Sequence, residues 1–222
     1  MANFRTHIGF GVFVGIGSII FGLISSLLLS TEAMIWIFLA VLIGSFLPDM
    51  DMDEGVPFQI FFGLFGAGMG GLVFLNLYQG GERDFLALSL VPVAIFALVR
   101  FGVGYVFKRF TVHRGMFHSI PAVVLFGLLT IWILDWLSIL EDQKLFLGIA
   151  VSVGYLGHLV LDEIYSSVNL HGYSIFPKKS LGSALKFRSS SNKASLLFYA
   201  LIFALWMTLP ETLEILEILG QF

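Results

Sequence analysis

Five histidines and four aspartates stand out from a chain that is otherwise mostly apolar: His7, His113, His118, His158 and His171, with Asp49, Asp51, Asp53 and Asp162. Imidazole and carboxylate together make a donor set suited to Zn2+ or Mn2+, with Mg2+ left open because no thiolate is present. Cysteine is absent, which removes disulfides and thiolate zinc sites alike. Three stretches carry spacing information. "LPDMDMDEG", residues 47–55, sets aspartates at every second position, a turn by composition but also a cluster of oxygen donors suited to a cation. "VHRGMFHS", residues 112–119, crowds two histidines, an arginine and a serine around a glycine, and reads either as a polar loop touching lipid headgroups or as ligands beside a phosphate-binding guanidinium. In "GYLGHLVLDE", residues 154–163, His158 and Asp162 stand four apart and share one helical face; an ionisable pair inside an apolar segment is expensive and usually functional. His7 alone reads as an interfacial polar residue, and His171 has no partner at a diagnostic spacing.

The elements that must position these groups are membrane helices. Of the 222 residues 58% are hydrophobic and 12% charged, and the mean hydropathy is +0.95, well above a soluble domain. The expected fold is an all-α integral membrane protein, a single membrane-embedded domain over 1–222. Seven apolar stretches are candidate spans: 8–29, 33–47, 58–78, 85–107, 119–140, 145–162 and 194–209, the second and sixth being short. The first follows Arg5 without a small-residue cleavage pattern and reads as a retained span. The glycines of "GLFGAGMGG", residues 63–71, read as helix-packing positions, and "GVGYVF", residues 102–107, lacks the strand context of a nucleotide fingerprint.

Basic residues set the expected orientation. With a cytoplasmic N-terminus, one face collects ten of the twelve Lys and Arg residues and the other only Arg83 and Lys144. The histidines and aspartates then gather at the cytoplasmic boundary, and the tail 210–222 lies outside as a short interfacial helix. A weak parallel repeat emerges: Asp49 follows His7 by 42 residues, and Asp162 follows His118 by 44, each across an out-and-back pair of spans. Two facing hairpins would bring both histidines and both aspartates to one pocket. The basic, partly apolar loop within 163–193 ("FPKKSLGSALKFRSSSN") is expected beside it, as a solvated loop or a headgroup-binding flap. The small net charge of -3 and the lack of a basic run argue against nucleic acid as a partner.

"THIGF", "LPDMD", "HRGMFHS" and "GYLGHLVLDE" together resemble the YdjM-like (DUF457) family of inner-membrane proteins, described as metal-dependent hydrolases, over roughly residues 3–163. That family is thought to be distantly similar to the zinc-dependent phospholipase C and P1 nuclease group. Carried over motif by motif, the resemblance implies His7, Asp49, His113 or His118, His158 and Asp162 as metal ligands, with Asp51 as a ligand or supporting one. It departs after the last aspartate, where family members often continue Thr-Pro-x-Gly and this chain reads "EIYSSVNLHGYSIFP". The expected activity is phosphoester hydrolysis on a lipid or lipid-linked phosphate at the cytoplasmic leaflet, with Zn2+ ahead of Mn2+ or Mg2+. Asp51 would act as general base or second-nitrogen partner of a histidine, Arg114 as the phosphate fork, and Ser119 as a helix cap or a catalytic hydroxyl. The alternative is a metal or proton transporter using the same residues as a relay; ligands gathered at one face rather than at the midplane favour the enzyme.

Overall fold

Lipid offers no hydrogen bonds to the backbone, so apolar segments satisfy their amides internally as helices. In a computed structural model describing residues 4–26, 30–51, 55–110, 115–167, 185–188 and 191–209, helices account for most of the described residues. They are α1 (Phe4–Ile24), α2 (Thr31–Phe46), α3 (Val56–Gln79), α4 (Phe85–Ala97), α5 (Gly104–Phe110), α6 (Ile120–Trp136), α7 (Lys144–Ser167) and α8 (Asn192–Thr208). A short 3-10 turn, Leu47–Asp51, extends α2, and a π-helical stretch, Leu98–Val103, joins α4 to α5. Helix starts follow local chemistry: the side chains of Ser30, Asp84 and Ser191 accept the amides of Ala33, Ala87 and Ala194, while α3 and α6 carry a proline in the first turn.

The chain is an all-helical membrane protein, and its seven apolar stretches fall where the sequence places them. Among the described residues five are long and apolar enough to cross a membrane: Phe4–Ile24, Thr31–Met50, Val56–Gln79, Phe85–Arg109 and Glu141–Tyr165. The sequence reading misjudged which are short. The 3-10 turns at Leu47–Asp51 and Glu141–Gln143 lengthen the second and sixth stretches, whereas Ile120–Trp136 and Asn192–Thr208 are the shorter ones. The fifth stops early because Ser138 and Leu140 take left-handed backbone angles, φ 52° and 51°, which no helix can pass through. Large apolar side chains cover the outside; Phe13, for example, is 73% exposed, as a lipid-facing surface requires.

The chain divides into two compact units, Met1–Pro48 with Arg114–Phe222, and Asp49–His113. In the first, α2 and α7 form the centre. Ser45 meets His158 and Gly154, while Gly44 meets Val151, so the two helices run in the same direction. Their approach is reciprocal. A Cβ on Gly44 would run into the Val151 carbonyl and the Tyr155 amide, and one on Gly154 into the Val41 carbonyl and the Ser45 amide. Each contact is the other with the two helices exchanged, so the pair has a local two-fold relation built from backbone. Around this centre α1 packs against α2 through Gly11 and Gly15, which face Ser45 and Phe38. The start of α6 ties to α7 through the hydroxyl of Ser152, which donates to the Val123 carbonyl at 3.1 Å. The two hairpins of the expected repeat, α1–α2 and α6–α7, therefore face one another.

In the second unit α3 lies along α4. Gly66 and Gly70 face Phe96 and the Pro92 carbonyl, while Gly63, Gly68 and Gly71 open to free space. Helix packing is thus the role of two glycines of the glycine-rich stretch. Phe58, Phe62 and Phe107 pack as a ring cluster, with the Lys108 ammonium 4.8 Å from the Phe58 centroid.

Candidate metal centre

Three elements of the first unit deliver four buried polar side chains to one point. His7 comes from the first turn of α1, His118 from the turn that leads into α6, and His158 with Asp162 from successive turns of α7. None is more than 1% exposed. The ring of His7 stacks on that of His158, centroids 3.7 Å apart and planes at 10°, and His118 meets His158 edge-on at 5.6 Å. Asp162 sits between two of the imidazoles: His7 Nε2 is 3.4 Å from one carboxylate oxygen, and His118 Nε2 is 3.7 Å from the other.

These separations bear on two readings of the cluster. Neither nitrogen of His7 and neither oxygen of Asp162 makes a hydrogen bond of ordinary geometry, so the buried carboxylate is left with long contacts to two imidazoles. Direct imidazole-to-carboxylate pairing would draw the atoms to about 2.8 Å. Ligand atoms about 2.1 Å from a tetrahedral ion stand about 3.4 Å apart, close to the 3.4 and 3.7 Å found here. One donor atom each from His7, His158 and Asp162 falls within 4.8 Å of the others. The orphaned atoms and their spacing fit a divalent cation.

The surroundings fix the donors. The Ser45 carbonyl lies 2.7 Å from His158 Nδ1; a carbonyl only accepts, so Nδ1 carries the proton and the Nε2 lone pair is left for a ligand role. Tyr155, fully buried one turn before His158, donates its hydroxyl to the Phe117 carbonyl at 2.6 Å and so anchors the turn that carries His118. The Ser119 hydroxyl donates to the Met116 carbonyl within the same turn. This corrects one expectation: Ser119 occupies the N-cap position of α6, but its side chain caps no amide, because the hydroxyl is turned back. The Ile120 amide is instead taken by the Lys186 carbonyl at 2.9 Å, which places residues 185–188 of the basic loop beside the turn that carries His118.

The structure thus brings together His7, His118, His158 and Asp162. Asp49 is the first residue of the second unit, in the 3-10 turn that Asp51 closes. His113, Arg114 and His171, like Asp53 and the tail 210–222, lie outside the described residues. Two contributors escaped the sequence reading. Ser45 acts through its backbone carbonyl, which no residue type announces. Tyr155 did carry a signal, as a polar aromatic three positions before His158 in an apolar helix.

The family model described as YdjM inner membrane protein matches residues 1–216. No curated protein and no solved structure matches the chain.

Proposed function

Because the chain belongs to the YdjM inner membrane protein family, whose model covers residues 1–216, we propose that it is a multi-pass, metal-dependent phosphoester hydrolase acting on an amphipathic substrate at the cytoplasmic face. The observation that carries this reading is the buried His7, His118, His158 and Asp162 cluster, with both Asp162 oxygens facing imidazole at ligand-to-ligand distances and without hydrogen bonds. The excess of Lys and Arg on the side that holds Arg5 and Lys108 supports the cytoplasmic placement.

A divalent cation, zinc by the chemistry of this donor set, would supply Lewis acidity towards a phosphoryl oxygen and acidify water. The chain's own groups do the rest. His158 is held in one tautomer by Ser45, and Tyr155 and Ser119 fix the turn that presents His118. Asp162 carries the negative charge of the donor set. Hydrolysis adds water to phosphorus as the ester P–O bond breaks; the proton released by water passes to a carboxylate, for which Asp51 is the candidate, and the leaving alkoxide takes up a proton. Arg114, four positions before His118, is the candidate fork for the phosphate oxygens.

Elemental analysis of protein purified without chelator, beside His158→Ala and Asp162→Ala, tests the reading. The expected result is bound zinc or manganese in the wild type, lost in both variants, with phosphate released from a phospholipid or polyprenyl phosphate by the wild type alone. Metal retained without turnover, but with metal-dependent proton or cation flux in liposomes, would replace the hydrolase with a transporter. No metal after reloading would overturn the hydrolase and leave the same residues as a proton relay, to be read by proton flux in liposomes.

A further inference from the structure

Two apolar grooves lie along the flanks of α7, and both are within the first unit. The larger, about 580 Å³, is bounded by Phe13, Gly17 and Gly22 of α1, Ile37 of α2 and Ile149 and Val153 of α7. The smaller, about 300 Å³, lies between α6 and α7, against Val124, Leu128, Ile131 and the other side of the same Ile149 and Val153. Ile149 and Val153 are therefore a ridge with a groove on each side, and both residues are exposed. Each volume falls within the range of ligand sites, roughly 300–1,000 Å³.

Three features converge. First, the grooves lie on the helices that carry the cluster: Val14 is seven residues from His7 on α1, Val123 is five from His118, and Leu156 is two from His158. Second, each is about as long as half a hydrocarbon core is thick. Phe13 to Gly22 and Val123 to Ile131 span about 12–14 Å at the helical rise of ~1.5 Å per residue, close to half of a hydrocarbon core of ~30 Å. Third, the larger groove exists because of small residues. Gly17 faces open space, and Ser18 turns its hydroxyl back to the Val14 carbonyl at 2.9 Å, which leaves the wall apolar.

We propose that the substrate is a two-chain lipid phosphate that straddles α7, with one hydrocarbon chain in each groove, the ridge of Ile149 and Val153 between them, and its phosphate at the His7, His118, His158 and Asp162 cluster. The assignment rests on the hydrolase reading for its phosphate end, while the grooves stand on their own geometry. A single-chain substrate would leave the α6–α7 groove without a purpose. A soluble phosphoester would use neither.

The test is lipid capture by the full chain in detergent micelles, with a photoactivatable two-chain phosphatidic acid as the probe and its one-chain lyso form as the comparison. Two variants fill the grooves without disturbing the packed centre: Gly17→Leu, whose side chain enters open space, and Val124→Trp at a 44% exposed position. Crosslinks to Ile149, Val153 and Leu128 that excess unlabelled phosphatidic acid removes are expected in the wild type. Each variant should weaken capture of the two-chain probe about tenfold, and only Gly17→Leu should weaken the lyso form. Crosslinks that resist competition, or two-chain capture unchanged in Val124→Trp, overturn the proposal. Metal analysis on the same samples keeps the two ideas apart. Competed crosslinks without metal would leave the grooves and remove the hydrolase, whereas metal with hydrolysis of a soluble phosphoester but no competed crosslinks would do the reverse.

Discussion

Gly154→Ala places one methyl group where α2 and α7 touch, and its effect reaches the candidate metal centre. The new Cβ would lie against the Val41 carbonyl oxygen, well inside contact, and 3.0 Å from the Ser45 amide. A carbon normally approaches a carbonyl oxygen to about 3.3 Å across packed backbones, so the helices must part by roughly 1 Å or more. Both obstacles are backbone and cannot swing aside. One turn further along the same interface, the Ser45 carbonyl holds His158 Nδ1 at 2.7 Å. Widened by about 1 Å, that contact exceeds the ~3.2 Å limit of a useful hydrogen bond, and His158 loses the partner that sets its tautomer. Overpacking of this kind costs about 1–3 kcal/mol, and loss of a ligand's supporting partner weakens metal binding about 10–100-fold. Zinc competition against a chromophoric chelator, with thermal unfolding in the same detergent, reads both quantities. Gly68→Ala, inside α3 with nothing within 4 Å of its Cβ, serves as the control: it should leave zinc binding unchanged and raise stability slightly, by about 0.5–1 kcal/mol. A Gly154→Ala protein that is less stable yet binds zinc as tightly as the wild type would refute the link between helix spacing and the orientation of His158.

Other perturbations have equally definite outcomes. Asp162→Asn keeps the shape of the side chain but removes the anionic charge of a 0% exposed residue, and should lower zinc affinity by roughly 100-fold or more by the same competition assay. Tyr155→Phe deletes the bond to the Phe117 carbonyl; it should destabilise the fold by about 1–2 kcal/mol and weaken zinc binding less than loss of any ligand does. Lys144→Met removes the ion pair with Asp135, 2.5 Å long and partly exposed. Thermal unfolding should move by less than about 1 kcal/mol, because exposed pairs contribute little.

The site was legible where chemistry and periodicity coincide. His158 and Asp162, four apart in an apolar helix, declare a shared face, and the spacings from His7 to Asp49 and from His118 to Asp162 announce two hairpins. The supporting shell was not legible, because it is made by groups that carry no side-chain signature: the Ser45 carbonyl, the Phe117 carbonyl and the Lys186 carbonyl. Helix lengths failed for a related reason. Ser138 and Leu140 are ordinary residues whose left-handed backbone is imposed by the turn into α7, and nothing in "DWLSILED" marks Trp136 as the last helical residue. Ser119 looked like a cap because serine before a helix usually is one, but here a carbonyl in the preceding turn competed for its hydroxyl and won.

The reciprocal seat of Gly44 on α7 and Gly154 on α2 has a consequence for how such a chain can change over time. A symmetric join made of main chain asks of each half only that one position stay without a side chain. Everything else on the paired helices is released from the likeness, so one copy can keep a tyrosine where the other keeps a serine, as Tyr155 and Ser45 do. The two hairpins can therefore stay matched at this join while their other positions differ, and what they share in sequence is little more than a spacing between histidine and aspartate.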